Sequence, residues 1–222
     1  METESSLRER LIDVGADLVM SEGTASLGLR EIARRAGVSH GAPRRYFPTH
    51  HALLSAIARR GFADLEARFA AAIGGSTSPR GQLKALGLTY VGYAQEHRGM
   101  FELMFRHDLL DSGKHASDQP QLRESTLPLF ETVVGLVAQH RAEQNTPHRP
   151  GAPGDAWPPP PAVTAAALWS NLHGIAQLWA WGSLQLTLGA PTTGEALAGR
   201  PLDQLVAAAL DAHLGHHGPV NG

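Results

Sequence analysis

The chain has 222 residues, 42% of them apolar, no cysteine, and a formal net charge of −2. That apolar share supports a sizeable core and excludes a disordered chain. The lack of thiols excludes disulfide frameworks, thiol redox sensing and Cys-zinc sites, and suits a reducing compartment.

In chain order, the first expected helix covers residues 7–22, where Leu7, Leu11, Val14 and Leu18 fall on one face. Ser6 with Glu9 forms a capping box at its start, and Gly23 supplies the stop. A second helix runs from about Leu29 to Ala36 and ends at Gly37. A third, capped by Ser39, reaches to about Tyr46. Pro48 and Thr49 open a long helix over about 50–73, closed by Gly74-Gly75. Pro79 suits the first turn of the next, about 79–97. An apolar stretch at 99–110 and a helix at about 121–140 follow. Residues 147–161 hold seven prolines, which predict a flexible or polyproline loop. Two further helices, about 163–188 and 201–214, are rich in Ala, Leu and Trp. The expected fold is therefore all-α, with about nine helices: an N-terminal three-helix helix-turn-helix module and a larger C-terminal helical bundle. The expected division is 1–49 for the module and 50–222 for the bundle.

Charge is unevenly spread. Residues 23–60 hold seven arginines against one acid, Glu31, whereas residues 61–222 hold fourteen acids and ten bases. A compact basic block in an otherwise neutral or acidic chain is the footprint of a nucleic-acid contact. Glu2, Glu4, Glu9, Asp13 and Asp17 interrupt the start of the sequence, so no signal peptide is expected. No apolar run approaches a membrane span, and a cytoplasmic protein without a membrane partner is expected.

The segment Leu29–Phe47 reads LREIARRAGVSHGAPRRYF. Ile32, Ala33 and Ala36 give the first of its helices a small apolar face. Ala33 leaves room for the next helix, and Gly37 can take the left-handed conformation that turns the chain. Val38 fills the inner side of the turn. This is helix-turn-helix spacing, with the second helix placed to enter a major groove.

At this point the chain resembles the TetR family of transcription regulators. The resemblance is close over 7–54, through LREIARRAGVSHG and RYFPTHHALL. It continues more loosely through GMFELMFR at 99–106 and LWSNLHG at 168–174, which are similar to a subgroup carrying a Trp and a His-Gly in the eighth helix. It implies a homodimer joined through the last two helices. It also implies a repressor that leaves a palindromic operator when a small molecule binds the larger domain. Gly28 stands where the family often has Ser or Thr, Arg44 where a tyrosine is common, Pro43 where a bulky apolar residue is usual, and His50-His51 where a Lys-Glu pair is usual.

The expected DNA contacts are Gly28, through its backbone N–H, with Arg30, Ser39, His40, Ala42, Arg44, Arg45, Tyr46 and His50. Arg44 and Arg45 can pair with phosphates or fork onto a guanine edge. His40 and Ala42 match family positions that approach bases and Tyr46 resembles a phosphate-contacting one, while Arg30 lies on the helix that crosses the backbone and is expected to serve phosphate. His50 opens a helix toward phosphate and adds charge only when protonated. Trp169, Asn171 and His173 are expected to line a pocket for an unidentified small hydrophobic or aromatic effector, as are Met100, Phe101, Met104 and Phe105. His213, His216 and His217, like His97, His107 and His115, lack the spacing and acidic partners of a metal site, so neither metal nor cofactor is expected. No GxSxG, GxGxxG, P-loop or HExxH motif points to an enzyme. The alternatives are an activator or a ligand-independent regulator of the same fold, and a dimeric scaffold.

Overall fold

A computed structural model describes residues 2–106, 110, 122–144, 159–189 and 195–215. Nine α-helices and two short 3-10 turns make up the regular structure of these residues, in agreement with the all-α expectation. The helices are α1 (Glu2–Glu22), α2 (Leu29–Arg35), α3 (His50–Ile73), α4 (Pro79–Glu96), α5 (Arg98–Met104), α6 (Leu122–Gln144), α7 (Pro161–Ala180), α8 (Ser183–Leu188) and α9 (Glu195–Leu214); the 3-10 turns are Thr24–Ser26 and Ala42–Arg45.

Four boundaries differ from expectation. The first helix starts at Glu2, so Ser6 lies inside it and not at its N-cap. The third expected helix is only a 3-10 turn. Pro43 has no N–H to donate back to Ser39, whose carbonyl instead accepts the Ala42 N–H at 3.0 Å. The helix expected over 163–188 breaks after Ala180, because Gly182 takes φ +80° and redirects the chain into α8. The last helix begins six residues before Pro201, which sits inside it. Residues 147–158 of the proline-rich stretch lie outside the described residues, as do His107, His115, His216 and His217.

The chain falls into two compact units, one of residues 1–67 and 93–128, the other of 68–92 and 129–222. In the first, Leu11, Leu18, Ile32, Ala33, Phe47, Leu53, Ile57 and Leu65 are buried together with Tyr93, Met100, Leu103 and Met104. Hydrophobic side chains on one face of each helix thus close over a single core. The α1 and α5 backbones meet closely: a Cβ on Gly99 would stand 2.0 Å from the Val19 carbonyl oxygen. The second unit buries Leu83, Leu86, Leu136, Val137, Leu168, Leu172, Ala176, Leu202, Val206 and Leu210. Two arginines pin its helices. Arg80 of α4 reaches Asp211 and the Gly215 carbonyl oxygen at the end of α9, and Arg141 of α6 reaches Thr164 Oγ1 of α7 at 2.5 Å.

Candidate nucleic-acid interface

The turn between α2 and the 3-10 segment is built by one glycine. Gly37 has φ +68°, its N–H donates to the Arg34 carbonyl at 3.2 Å, and the Val38 N–H donates to the Ala33 carbonyl at 3.0 Å. This paired arrangement is the Schellman ending of a helix, and it satisfies carbonyls that the last turn would otherwise leave open. Ile32 and Ala33 are fully buried beneath it. Pro43 is buried as well, so it fills a core position and turns its neighbours outward. The Phe47 ring is also fully buried, with the Arg8 guanidinium 5.5 Å from its centroid.

Outside this core lie most of the expected contact residues. Arg30, Ser39, His40, Arg44 and Arg45 are exposed, while Ala42 and Tyr46 are half-buried. Arg30, Arg44 and Arg45 make no ion pair among the described residues. Gly28 is the extended residue before α2; it is exposed, with open space around it, and its N–H donates to the Ser26 carbonyl at 2.8 Å. His50 Nε2 lies 2.5 Å from the Leu27 carbonyl oxygen, and since a carbonyl only accepts, that nitrogen carries its proton. Thr49 Oγ1 accepts the Ala52 N–H at 3.0 Å and caps α3.

Arg34 and Arg35 behave differently. Glu31 takes Arg34 through two hydrogen bonds, at 2.9 Å and 2.6 Å, and Arg35 through one at 2.7 Å. Arg35 also reaches Glu22 of α1. These guanidinium hydrogen bonds hold the Glu31 carboxyl down at about 2. The Glu31 pairs follow ordinary helical spacing and could be foreseen; the Glu22 pair joins residues in different helices and left no local signal.

The apolar candidates form two groups, one in each unit. Met100, Phe101 and Met104 are buried on α5, Met100 and Met104 against Gly61, and Phe105 sits 4.9 Å from Phe101 and edge-on to Phe62. On α7, the Trp169 and His173 rings lie 5.9 Å apart, and Asn171 faces away toward His213. The sequence did not point to Tyr90. Its buried hydroxyl lies 3.2 Å from Trp169 Nε1 and 2.8 Å from His173 Nδ1, linking α4 to α7. Burial pushes the Tyr90 hydroxyl up and His173 down. Among the described residues, no group of three or more His, Asp or Glu gathers as a metal site would require, and no helix is long and apolar enough to cross a membrane.

Residues 11–57 match the family described as bacterial regulatory proteins, tetR family, and residues 83–205 match the tetracyclin repressor-like C-terminal domain. No curated protein matches the sequence. Among solved structures, a protein of unknown function from Rhodococcus sp. RHA1 is similar at 30% identity, with 94% of this chain and 93% of that one covered and a TM-score of 0.67. A TetR-like transcriptional regulator from the same organism shares the fold at 18% identity, with 95% and 97% covered and a TM-score of 0.58. The TetR family regulator PfmR from Thermus thermophilus does so at 16% identity, with 94% and 100% covered and a TM-score of 0.57. A helix-turn-helix closed by Gly37, followed by a helical bundle that matches over more than half the chain, places this protein in the TetR family of bacterial regulatory proteins.

Proposed function

We propose that this chain is a homodimeric, sequence-specific DNA-binding repressor, released from a palindromic operator by a small hydrophobic or aromatic effector. The observation that carries the reading is the set Arg30, Arg44 and Arg45. All three are exposed on the helix-turn-helix and make no ion pair among the described residues. Residues 1–49 act as the reading head, and 50–222 hold the effector and dimerisation functions. The 3-10 turn offers Ala42, Arg44 and Arg45 to the major groove, and the segment before it offers His40; a guanidinium there can fork onto guanine and a methyl can meet thymine. Arg30, Ser39, Tyr46 and His50 meet the phosphates that set the register, while the Gly28 N–H is taken by the Ser26 carbonyl. Two heads read successive grooves about 34–36 Å apart, and the effector selects a spacing that no longer fits them.

Dimerisation is supported by α7 and α8, which contain no Asp, Glu, Lys or Arg. With the turn between them they expose Leu178, Trp181 and Leu186, the last at 84%, more apolar surface than a lone helix pair usually shows to water. Trp169, His173 and Gly174 support membership of a Trp and His-Gly subgroup of the family. Trp169 and His173 stand on the effector side, whereas Asn171 turns toward His213. The protein works in the cytoplasm.

The test is selection of a randomised duplex library on the purified chain at two salt concentrations. A two-fold palindrome enriched at low salt, and lost with Arg44→Ala and Arg45→Ala, is the expected outcome. Failure to enrich any sequence at either salt overturns the reading.

A further inference from the structure

Helix α2 carries three arginines, and the structure treats them unequally. Arg30 is exposed, while Arg34 is held side-on by Glu31 through both carboxylate oxygens. Arg35 shares the nearer of those oxygens and reaches Glu22 with its other arm. Two acids thus hold two guanidiniums in a connected chain that runs from the end of α1 to the last turn of α2.

Stability does not explain this arrangement. All four side chains are at least one-third exposed or close to it, and ion pairs in that setting add little to folding. The larger consequence is for the field presented to DNA. The first helix of a helix-turn-helix crosses the phosphate backbone, so arginines along it add affinity without reading sequence. A phosphate approaching Arg34 must share it with a carboxylate less than 3 Å away, or displace that carboxylate. Residues 23–49 hold five arginines; with Arg34 and Arg35 occupied, Arg30, Arg44 and Arg45 remain to meet DNA.

We propose that Glu31 is a specificity-determining residue: by occupying Arg34 and Arg35 it withholds sequence-independent phosphate contacts, so the protein stays on DNA only where the 3-10 turn also finds its bases. The proposal rests on the DNA-binding reading above. Discrimination is the ratio of specific to non-specific affinity, and a contact that strengthens both alike raises the background against which an operator competes.

Glu31 is thus a positioning residue that acts through the arginines, and its signature is a salt slope rather than a melting temperature. Each phosphate neutralised on duplex DNA steepens the logarithmic dependence of affinity on salt by about 0.9. Arg35 still has Glu22 when Glu31 is lost, so only Arg34 is released; in both protomers of a dimer that adds two contacts and steepens the slope by about 1.8. The experiment titrates the full chain onto a fluorescent duplex of arbitrary sequence across a salt series, with the palindrome from library selection in parallel. Glu31→Gln is expected to steepen the slope on the arbitrary duplex by about 2 and tighten that binding about tenfold or more near 0.1 M salt. Its operator preference then falls. Glu31→Gln combined with Arg34→Gln is expected to restore the wild-type slope. Arg34→Gln alone is expected to leave it unchanged, whereas Arg30→Gln makes it shallower by about 2.

A wild-type chain that binds neither duplex takes down the DNA-binding reading, and this proposal with it. A wild-type chain that binds with the expected salt dependence, while Glu31→Gln keeps the same slope, overturns the role of Glu31 alone. A slope that stays steep in the double variant also overturns it, because Glu31 would then act by its own repulsion and not by holding Arg34. Since Arg34→Gln and Arg30→Gln leave Glu31 in place, their contrast tests the same idea even if Glu31→Gln folds poorly.

Discussion

Replacing Gly99 with alanine tests how closely α5 is fitted to α1. The new methyl would sit 2.0 Å from the Val19 carbonyl oxygen, 3.1 Å from the carbonyl carbon and 3.3 Å from Gly23 Cα. An ordinary contact needs roughly 1.5 Å more than the first of these distances, since non-bonded heavy atoms settle near 3.5 Å. The obstacle is backbone, so no rotamer change relieves it; one helix must move. Overpacking of this kind costs about 1–3 kcal/mol, and this case belongs toward the upper end. Alanine returns up to about 1 kcal/mol of helix propensity, which leaves a net loss near 2 kcal/mol. For a chain of this size that lowers the melting midpoint by about 4–8 °C. The Val19 carbonyl also accepts the Gly23 N–H at 3.1 Å. The strain therefore falls on the last turn of α1, just before the helix-turn-helix, and any DNA affinity should drop as well. Circular-dichroism melts of the full chain supply the measurement. Gly135→Ala in α6 is the control, because its methyl meets nothing within 4 Å; it should raise the midpoint slightly. A Gly99→Ala protein that melts at or above the wild-type temperature would refute the close fit.

Other perturbations separate the remaining contacts. His173 titrates in the fold below its ordinary 6.5 because burial disfavours its charge. The stability gained by keeping it neutral is present above that ordinary value and is lost as pH falls through the lower, folded one. Urea titrations should show the wild type losing more stability on acidification than His173→Asn, whose amide oxygen can stand in for Nδ1 without titrating; parallel curves would count against the assignment. His50→Lys places a permanent positive charge at the start of α3, so DNA binding should tighten several-fold. Equal binding isotherms for the two proteins would remove His50 from the interface. Arg80→Met should release the end of α9 while keeping the apolar stem packed. Amides of the last α9 turn would then exchange several-fold faster by hydrogen–deuterium mass spectrometry; unchanged exchange would mean that the clamp holds nothing.

Much of the reading head was legible in sequence because its determinants are local. Gly37, with Ala33 four residues before it, announces a turn whose hydrogen bonds close within six residues. The helical register of α3 and α4 followed likewise from glycine stops and from Thr49 and Pro79 at their starts. Pro43 removes one helical N–H, but the full loss of α-helix to a 3-10 turn depended on how the chain enters from Ser39. Gly182 was available as a stop signal, yet the apolar run on both sides of it masked the break between α7 and α8. No local pattern warned of Tyr90 beside His173, 83 residues apart, or of Glu22 on Arg35, because such partners are chosen by packing between helices.

The meeting of Trp169, Tyr90 and His173 has a direction built into it. An indole nitrogen can only give a proton to a hydrogen bond, so the tyrosine oxygen must receive there. The hydroxyl's own hydrogen is then left to point at Nδ1, which obliges the imidazole to keep its proton on Nε2. A residue that never titrates thereby dictates the tautomer of one that does, through an intermediary on another helix. Trp169→Phe would remove the dictation while sparing the bulk. Nitrogen-15 spectra of His173 would then drift from one neutral form toward a mixture of two, a change of chemical identity without any change of charge.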